Sequence, residues 1–237
     1  MARLSVVLTL YNVRNDYVRA CVDSILNQTF QDFVILAMDD HCRKVDYRWL
    51  KEIPKVQYIC NMFNIGMSRS VNKAFSKVDT EYCVRLGSDD LFKPTLFERE
   101  IGFLDSHPDH IAVCCELQQF GRYNHLIKRP KVWSIDDILN GKFKSYGYDG
   151  GLMFRSAALK KCRLDETMRI CEDFDFQTQL LMLGKIHSIH EPLYLYRKHT
   201  EQITARATKE ERYANIWKSI ERIKQRVIQA SGNGLTP

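Results

Sequence analysis

No apolar run in this chain approaches the roughly 18 residues that a membrane-crossing helix needs. The run Leu4 to Leu10 behind Arg3 is broken by Thr9, Tyr11 and Asn12, with no small-residue cleavage site after it. No secretory signal is therefore expected. Cys-x-x-Cys pairs and metal-finger spacings are absent among the eight cysteines. Several lie in apolar stretches, as in Ile111-Ala-Val-Cys114-Cys115, and read as buried free thiols rather than a disulfide scaffold. A large charge of one sign is missing too. A net charge of +6 suits anionic ligands such as nucleotides, or an acidic membrane surface, but does not point to nucleic acid as a partner. These absences predict a cytoplasmic protein, at most peripheral at the inner face of a membrane.

Internal repeats and linkers are lacking as well. With 45% hydrophobic and 27% charged residues, the 237-residue chain has the make-up of an ordinary globular protein and can share one core. The expected division is one domain over 1–204, an amphipathic helix over 205–230 packed on it, and a flexible tail over 231–237.

Short β-rich runs at 4–10, 33–38, 56–60 and 82–86 predict strands. Helical spacing predicts helices over 15–28 and 68–76, with a weaker one near 45–52. Apolar strands alternating with helices argue for an α/β fold with a mixed, mostly parallel sheet flanked by helices. The second half predicts helices at 94–104, 134–140, 174–183 and 207–229, and strands at 111–120, 150–154 and 193–196. Residues 121–149 otherwise read as loops. In the last helix Tyr213, Ile216, Trp217, Ile220, Ile223 and Val227 share one side among Lys and Arg. That stripe fits packing on the core or on a second copy (a homodimer), with peripheral membrane contact as the alternative.

In open parallel sheets ligands bind beyond the carboxyl ends of the strands. Four such ends carry chemistry. Thr9, Tyr11 and Asn12 follow the first strand, where Tyr11 could stack on a base. Asp39-Asp40 ends the second. Asn64-Ile-Gly66-Met-Ser68 makes a turn before a helix. Ser88-Asp89-Asp90 ends the fourth, offering hard oxygen ligands to Mg²⁺ or Mn²⁺, or simply a cap for the next helix. Glu172-Asp173 opens a helix, as a general base or as charge favoured by the helix dipole. Tyr196-Arg197-Lys198-His199 offers cations and an imidazole to a diphosphate or its metal, or forms a solvated loop.

Taken in order, Ser5-Val-Val-Leu-Thr9-Leu-Tyr11-Asn12, Ser24-Ile-Leu-Asn-Gln28-Thr29-Phe30, Asp39-Asp40, Asn64-Ile-Gly66, Asn72-Lys-Ala74 and Gly87-Ser88-Asp89-Asp90 resemble the family 2 glycosyltransferases of GT-A fold. Gly150-Gly151-Leu-Met-Phe-Arg155, Glu172-Asp173 and Leu195-Tyr196-Arg197-Lys-His199 extend the likeness to roughly 4–204. The resemblance implies inverting transfer of a sugar from a nucleotide-sugar donor, a UDP-sugar by preference, to a saccharide, lipid-linked or protein acceptor. It implies that Thr9, Tyr11, Asp40 and Asn64 help bind the nucleotide and that Asp89 and Arg197 contact the donor. It further implies that Asp90 and His199 hold Mn²⁺ or Mg²⁺ and that Asp173 is the catalytic base. Two departures stand out: the family often has Asp where this chain has Gly87, and its usual Asp-Asp-Gly-Ser turn is Asp39-Asp40-His41-Cys42 here. A nucleotidyltransferase, or a non-catalytic sugar-nucleotide-binding module, is the competing expectation. The first would carry a Gly-rich basic loop after strand one, where this chain has Tyr11-Asn12-Val-Arg14.

Overall fold

The computed structural model describes residues 2–142 and 150–232. Its first half is a set of parallel strands joined by helices. Strand β1 (Leu4–Leu10) leads through α1 (Asn15–Leu26) to β2 (Phe33–Asp39). Strand β3 (Val56–Cys60) leads through α2 (Met67–Phe75) to β4 (Tyr82–Gly87). The second half adds β5 (Leu91–Phe92), α3 (Leu96–Ser106), β6 (His110–Gly121), β7 (Leu126–Ile127) and α4 (Ile135–Leu139). It closes with β8 (Leu152–Arg155), α5 (Glu172–Leu181), β9 (Lys185–Lys198), α6 (Ile203–Arg206) and α7 (Lys209–Gly232).

The strands form one sheet in the order β3-β2-β1-β4-β8-β6-β9-β5, with β7 beside β6. The long ladders β1–β2, β1–β4, β2–β3 and β6–β9 are parallel, and the short ones through β5, β7 and β8 are antiparallel. This is the mixed, mostly parallel sheet that the alternation of apolar strands and helices implies. Both faces are covered, because side chains alternate along each strand. Leu4, Val6, Leu8 and Leu10 meet Val18, Val22 and Ile25 of α1 on one face. Val7, Leu36 and Met38 meet Val71, Ala74 and Phe75 of α2 on the other.

Several elements differ from the sequence pattern. The strand expected at 193–196 is the end of the 14-residue β9. Its first half was hidden because Pro192 and the polar residues around it break the alternation. The ladder absorbs them in a bulge, where pairing jumps from Cys115–Ile189 to Glu116–Pro192. The helix expected at 45–52 is a 3-10 turn over Arg48–Glu52. The two-residue strands β5 and β7 and the four-residue α6 are too short to carry a period. The free thiols hold as read, but not all are buried: Cys60 is exposed, and Cys42 and Cys171 are intermediate.

Helix α7 buries Ile220 and Ile223 and leaves Tyr213, Trp217 and Ile228 exposed. It is tied down by Asp165, which lies 2.7 Å from Arg222 and 3.1 Å from Lys218. The helix runs to Gly232, and the remainder of the tail expected at 231–237, residues 233–237, lies outside the described residues. No helix among the described residues is long and apolar enough to cross a membrane.

Candidate functional site

The carboxyl ends of β1, β2 and β4 lie side by side, because Leu10 pairs with Asp39 and Thr9 with Gly87. Sharp turns leave this edge. Among the described residues, the non-glycine residues with positive φ are Asn12 at 57°, His41 at 58° and Cys171 at 60°. Such a backbone costs about 1 kcal/mol or more per residue, and it persists where surrounding contacts over-determine it. Two of these turns hold each other: the Asn12 N–H donates to Cys42 Sγ at 3.4 Å, and the Cys42 thiol donates to Asn12 Oδ1 at 3.3 Å. Cys42, where the family's usual turn has Ser, thus latches the β1 turn to the β2 turn. Thr9 is half-buried beneath them, and Tyr11 stands 48% exposed at the rim, open to stack on a planar ligand.

The two carboxylates ending β2 have different work. Buried Asp40 accepts from Asn61 Nδ2 at 2.9 Å and the Ile65 N–H at 2.9 Å on one oxygen. On the other it accepts from Asn64 Nδ2 at 3.0 Å and the Gly66 N–H at 2.9 Å. Two oxygens with four donors are a filled acceptor shell. Asp40 and Asn64, both expected at the nucleotide, therefore meet each other and fold the 61–66 turn. Asn61, which no sequence signal marked, bridges onward to Ser70 Oγ at 2.9 Å and Lys73 Nζ at 2.7 Å. Asp39 is less committed: it accepts from the Cys42 N–H at 2.8 Å and from the Tyr58 hydroxyl.

At the end of β4, the Asp90 N–H returns to the Gly87 carbonyl at 3.1 Å, closing a tight turn that presents Asp89 and Asp90 together. Strand β9 holds this turn. The Arg197 N–H donates to Asp90 Oδ1 at 2.8 Å, the Tyr194 hydroxyl donates to Asp90 Oδ2, and Arg197 Nε donates to the Asp89 carbonyl at 2.7 Å. His199 Nε2 lies 2.8 Å from Asp89 Oδ2. Burial pushes the Asp90 carboxyl well above the usual range, and the neighbouring Asp89 charge pushes it further. Tyr194 and Arg197 pull it back. The Arg197 guanidinium lies between two rings, 4.3 Å from the Tyr17 centroid and 4.6 Å from that of Phe120. His199 thus faces the Asp89 carboxylate, while Arg197 holds the turn at the Asp90 carboxylate through its backbone N–H and at the Asp89 backbone carbonyl through its guanidinium. Tyr194 was missed. The alternation Leu193-Tyr-Leu-Tyr196 puts it on one strand face, but nothing in the sequence says which face meets Asp90.

Helix α5 carries the remaining acid expected at the site. Its first turn carries Glu172, Asp173 and Asp175. Buried Glu172 accepts from Arg85 Nη2 at 3.1 Å, mooring the helix start to the middle of β4. Asp173 is half-buried next to it, and its Oδ1 accepts from the Phe174 N–H at 2.8 Å.

No three His, Cys, Asp or Glu side chains converge as a closed metal site among the described residues. The turn offers an open set instead: the Asp89 carboxylate against an imidazole, with Asp90 beside it and His199 Nδ1 buried without a partner. Such a set fits Mg²⁺ or Mn²⁺ that takes its other ligands from a substrate diphosphate, the usual arrangement for these ions.

Known proteins resemble this chain in sequence and in fold. An uncharacterized glycosyltransferase of Methanocaldococcus jannaschii is 27% identical over 203 residues, 82% of this chain and 70% of that one. The amylovoran biosynthesis glycosyltransferase AmsE of Erwinia amylovora is 26% identical over 189 residues, 76% of this chain and 70% of that one. In fold the chain is similar to S. aureus TarS 1-349 in complex with UDP-GlcNAc. The TM-score is 0.76 over 93% of this chain and 66% of that one, at 16% identity. Another TarS 1-349 structure is matched over 60% of its length. The likeness is one of fold, and the fold is GT-A. The profile of Glycosyl transferase family 2 matches residues 5–163, well over half of the sequence, and the chain belongs to that family.

Proposed function

We propose that this protein transfers a sugar from a UDP-sugar to an acceptor hydroxyl with inversion at the anomeric carbon. One observation carries the reading. Strand β4 ends in the Asp89-Asp90 turn and, through Arg85 and Glu172, also anchors the helix that bears Asp173. A donor-diphosphate site and a general base are thereby referred to one rigid strand. The fold shared with a UDP-GlcNAc-bound protein supports the donor class, and the relative named for amylovoran biosynthesis supports a saccharide acceptor.

In this reading Tyr11 stacks on the base above Thr9. Asp39, with lone pairs to spare, takes the base contact that the motif order assigned to Asp40. Asp40 and Asn64 shape the turn beside the base. Asp89, Asp90 and His199 hold the diphosphate end, with Arg197 fixing the Asp90 carboxylate and the backbone of Asp89. A divalent ion bound there would stabilise the charge that builds on the leaving diphosphate. Asp173 accepts the proton of the acceptor hydroxyl. The freed oxygen attacks the anomeric carbon from the face opposite the nucleotide. The bond to the diphosphate oxygen breaks with its electron pair, through an oxocarbenium-like transition state.

The test is calorimetric titration of UDP, GDP and dTDP into the protein with Mn²⁺ and then with EDTA, on the native chain and Asp90→Ala. UDP should bind best, and the gain from Mn²⁺ should vanish in Asp90→Ala. Binding that ignores both the ion and Asp90 would remove the metal from the scheme. Failure to bind any of the three nucleotides would remove the scheme itself.

A further inference from the structure

The Asp89-Asp90 turn departs from the family pattern at Gly87, and the space around Gly87 is already claimed. A Cβ there would lie 2.7 Å from Asp90 Oδ2 and 3.1 Å from Asp89 Oδ1. Asp90 Oδ2 is the oxygen that accepts the Tyr194 hydroxyl. The other side of the Tyr194 ring is equally tight: a Cβ on Gly150 would lie 2.1 Å from both Cε1 and Cζ of the ring. Phe92 closes a third side, with ring centroids 5.7 Å apart. Tyr194 is 2% exposed. Its hydroxyl meets Asp90 where Gly150 leaves room for the ring and Gly87 leaves room for the carboxylate.

We propose that Tyr194 is a positioning residue for Asp90, and that Gly150 is the opening that admits its ring and Gly87 the opening that admits the Asp90 carboxylate. Asp90 Oδ1 is fixed by a backbone N–H of β9, which any residue at 197 other than proline would supply. Oδ2 depends on one side chain. The phenol therefore sets which way the carboxylate faces, and with it the geometry offered to a diphosphate and its ion. Where relatives place an Asp at position 87, that side chain would fill the space the Asp90 carboxylate takes here. Here the turn carries two acids, and a neutral donor reaches in from β9. The inference rests on the nucleotide-diphosphate reading given above.

Tyr194→Phe keeps the ring between Gly150 and Phe92 and removes only the hydroxyl. The experiment measures UDP affinity by calorimetry with Mn²⁺ and with EDTA, on the native protein, Tyr194→Phe, Gly87→Ala and the double variant, with thermal melts of each. In Mn²⁺, Tyr194→Phe should bind UDP about tenfold more weakly, the scale for losing a residue that orients a metal ligand. In EDTA its affinity should equal that of the native protein. Gly87→Ala should also lose affinity selectively in Mn²⁺, because its Cβ would crowd Asp90 Oδ2 and Asp89 Oδ1 directly, and the double variant should lose no less than Gly87→Ala alone. Tyr194→Phe behaving as native in Mn²⁺ would overturn the proposal. So would an equal loss with and without the ion, the mark of a packing role. A native protein that binds UDP with no Mn²⁺-dependent gain would remove the ion from the functional reading and this inference with it, and one that binds no nucleotide would remove the reading itself, so the two failures are told apart by the native protein alone.

Discussion

Arg85 in β4 and Glu172 at the start of α5 form an ion pair at 3.1 Å, with side chains only 16% and 5% exposed. A pair this buried contributes little net stability against apolar residues of the same size, but breaking it leaves a charge stranded in the interior. Its value here is positional. It fixes the first turn of α5, and Asp173 is the next residue. Arg85→Met should therefore destabilise the fold by about 3 kcal/mol, the low end for a broken buried pair. Transfer should fall further than the fraction unfolded explains. Urea unfolding beside a transfer assay reads both, and activity that simply follows the folded fraction would refute the positional role.

Asp40 makes the opposite case, a carboxylate whose acceptors are all used internally. Asp40→Asn puts an NH₂ against either the Asn61 and Ile65 donors or the Asn64 and Gly66 donors. Donor facing donor in a buried site should cost about 2–3 kcal/mol. The 61–66 turn should loosen first, so amide exchange there should rise before global stability is lost. An Asp40→Asn protein with native stability but no UDP binding would mean that Asp40 meets the base directly after all.

The sheet was legible because buried parallel strands leave runs such as Ser5-Val-Val-Leu and Val34-Ile-Leu-Ala that have few other readings. The strand-end acids were legible for the same reason, since polar residues that stop an apolar run fall at the carboxyl edge. What stayed hidden is the pairing of one strand end with another. Asp39 and Asp40 are neighbours of one type, and only the fold shows that Asn61, Asn64 and two backbone N–H groups close on the second. The first half of β9 was invisible because a bulge takes up Pro192, and with that half went the reason Tyr194 lies beside Asp90. Gly87 looked like a lost acid in the sequence, whereas in the fold it is room for the Asp90 carboxylate.

A histidine cluster at the far edge of the sheet predicts an acid-sensitive corner. His107 and His187 stack against Phe103 at 4.1 and 4.6 Å, and His110 packs edge-on 5.9 Å from His187. Burial lowers the His187 pKa from 6.5, with His110, Lys131, His107 and His190 lowering it further. Asp109 and Glu116 face His110 and His190, not His187. The sign follows from linkage. A histidine whose folded pKa is depressed binds its proton more readily when unfolded, so stability is full above about pH 6.5 and is lost as pH falls below it. The loss stops once pH passes the folded pKa. Melting temperature measured from pH 8 to pH 5 should fall in that window, and the fall should shrink in His187→Gln. An equal fall in both proteins would place the sensitivity elsewhere.

Asp173→Asn separates binding from chemistry. The side chain keeps its size and an oxygen that can still accept from the Phe174 N–H, so the first turn of α5 should keep its form. Arg85 and Glu172 are untouched, so the helix should stay moored. What is lost is the ability to take a proton from an acceptor hydroxyl. General-base assistance contributes about 10²- to 10⁴-fold, so kcat should drop by a factor in that range. UDP affinity with Mn²⁺ should stay within error of native, because the donor is held by the β4 turn and β9. A variant that keeps native kcat would take the base role from Asp173. One that loses UDP binding in step with transfer would place Asp173 in the donor site instead.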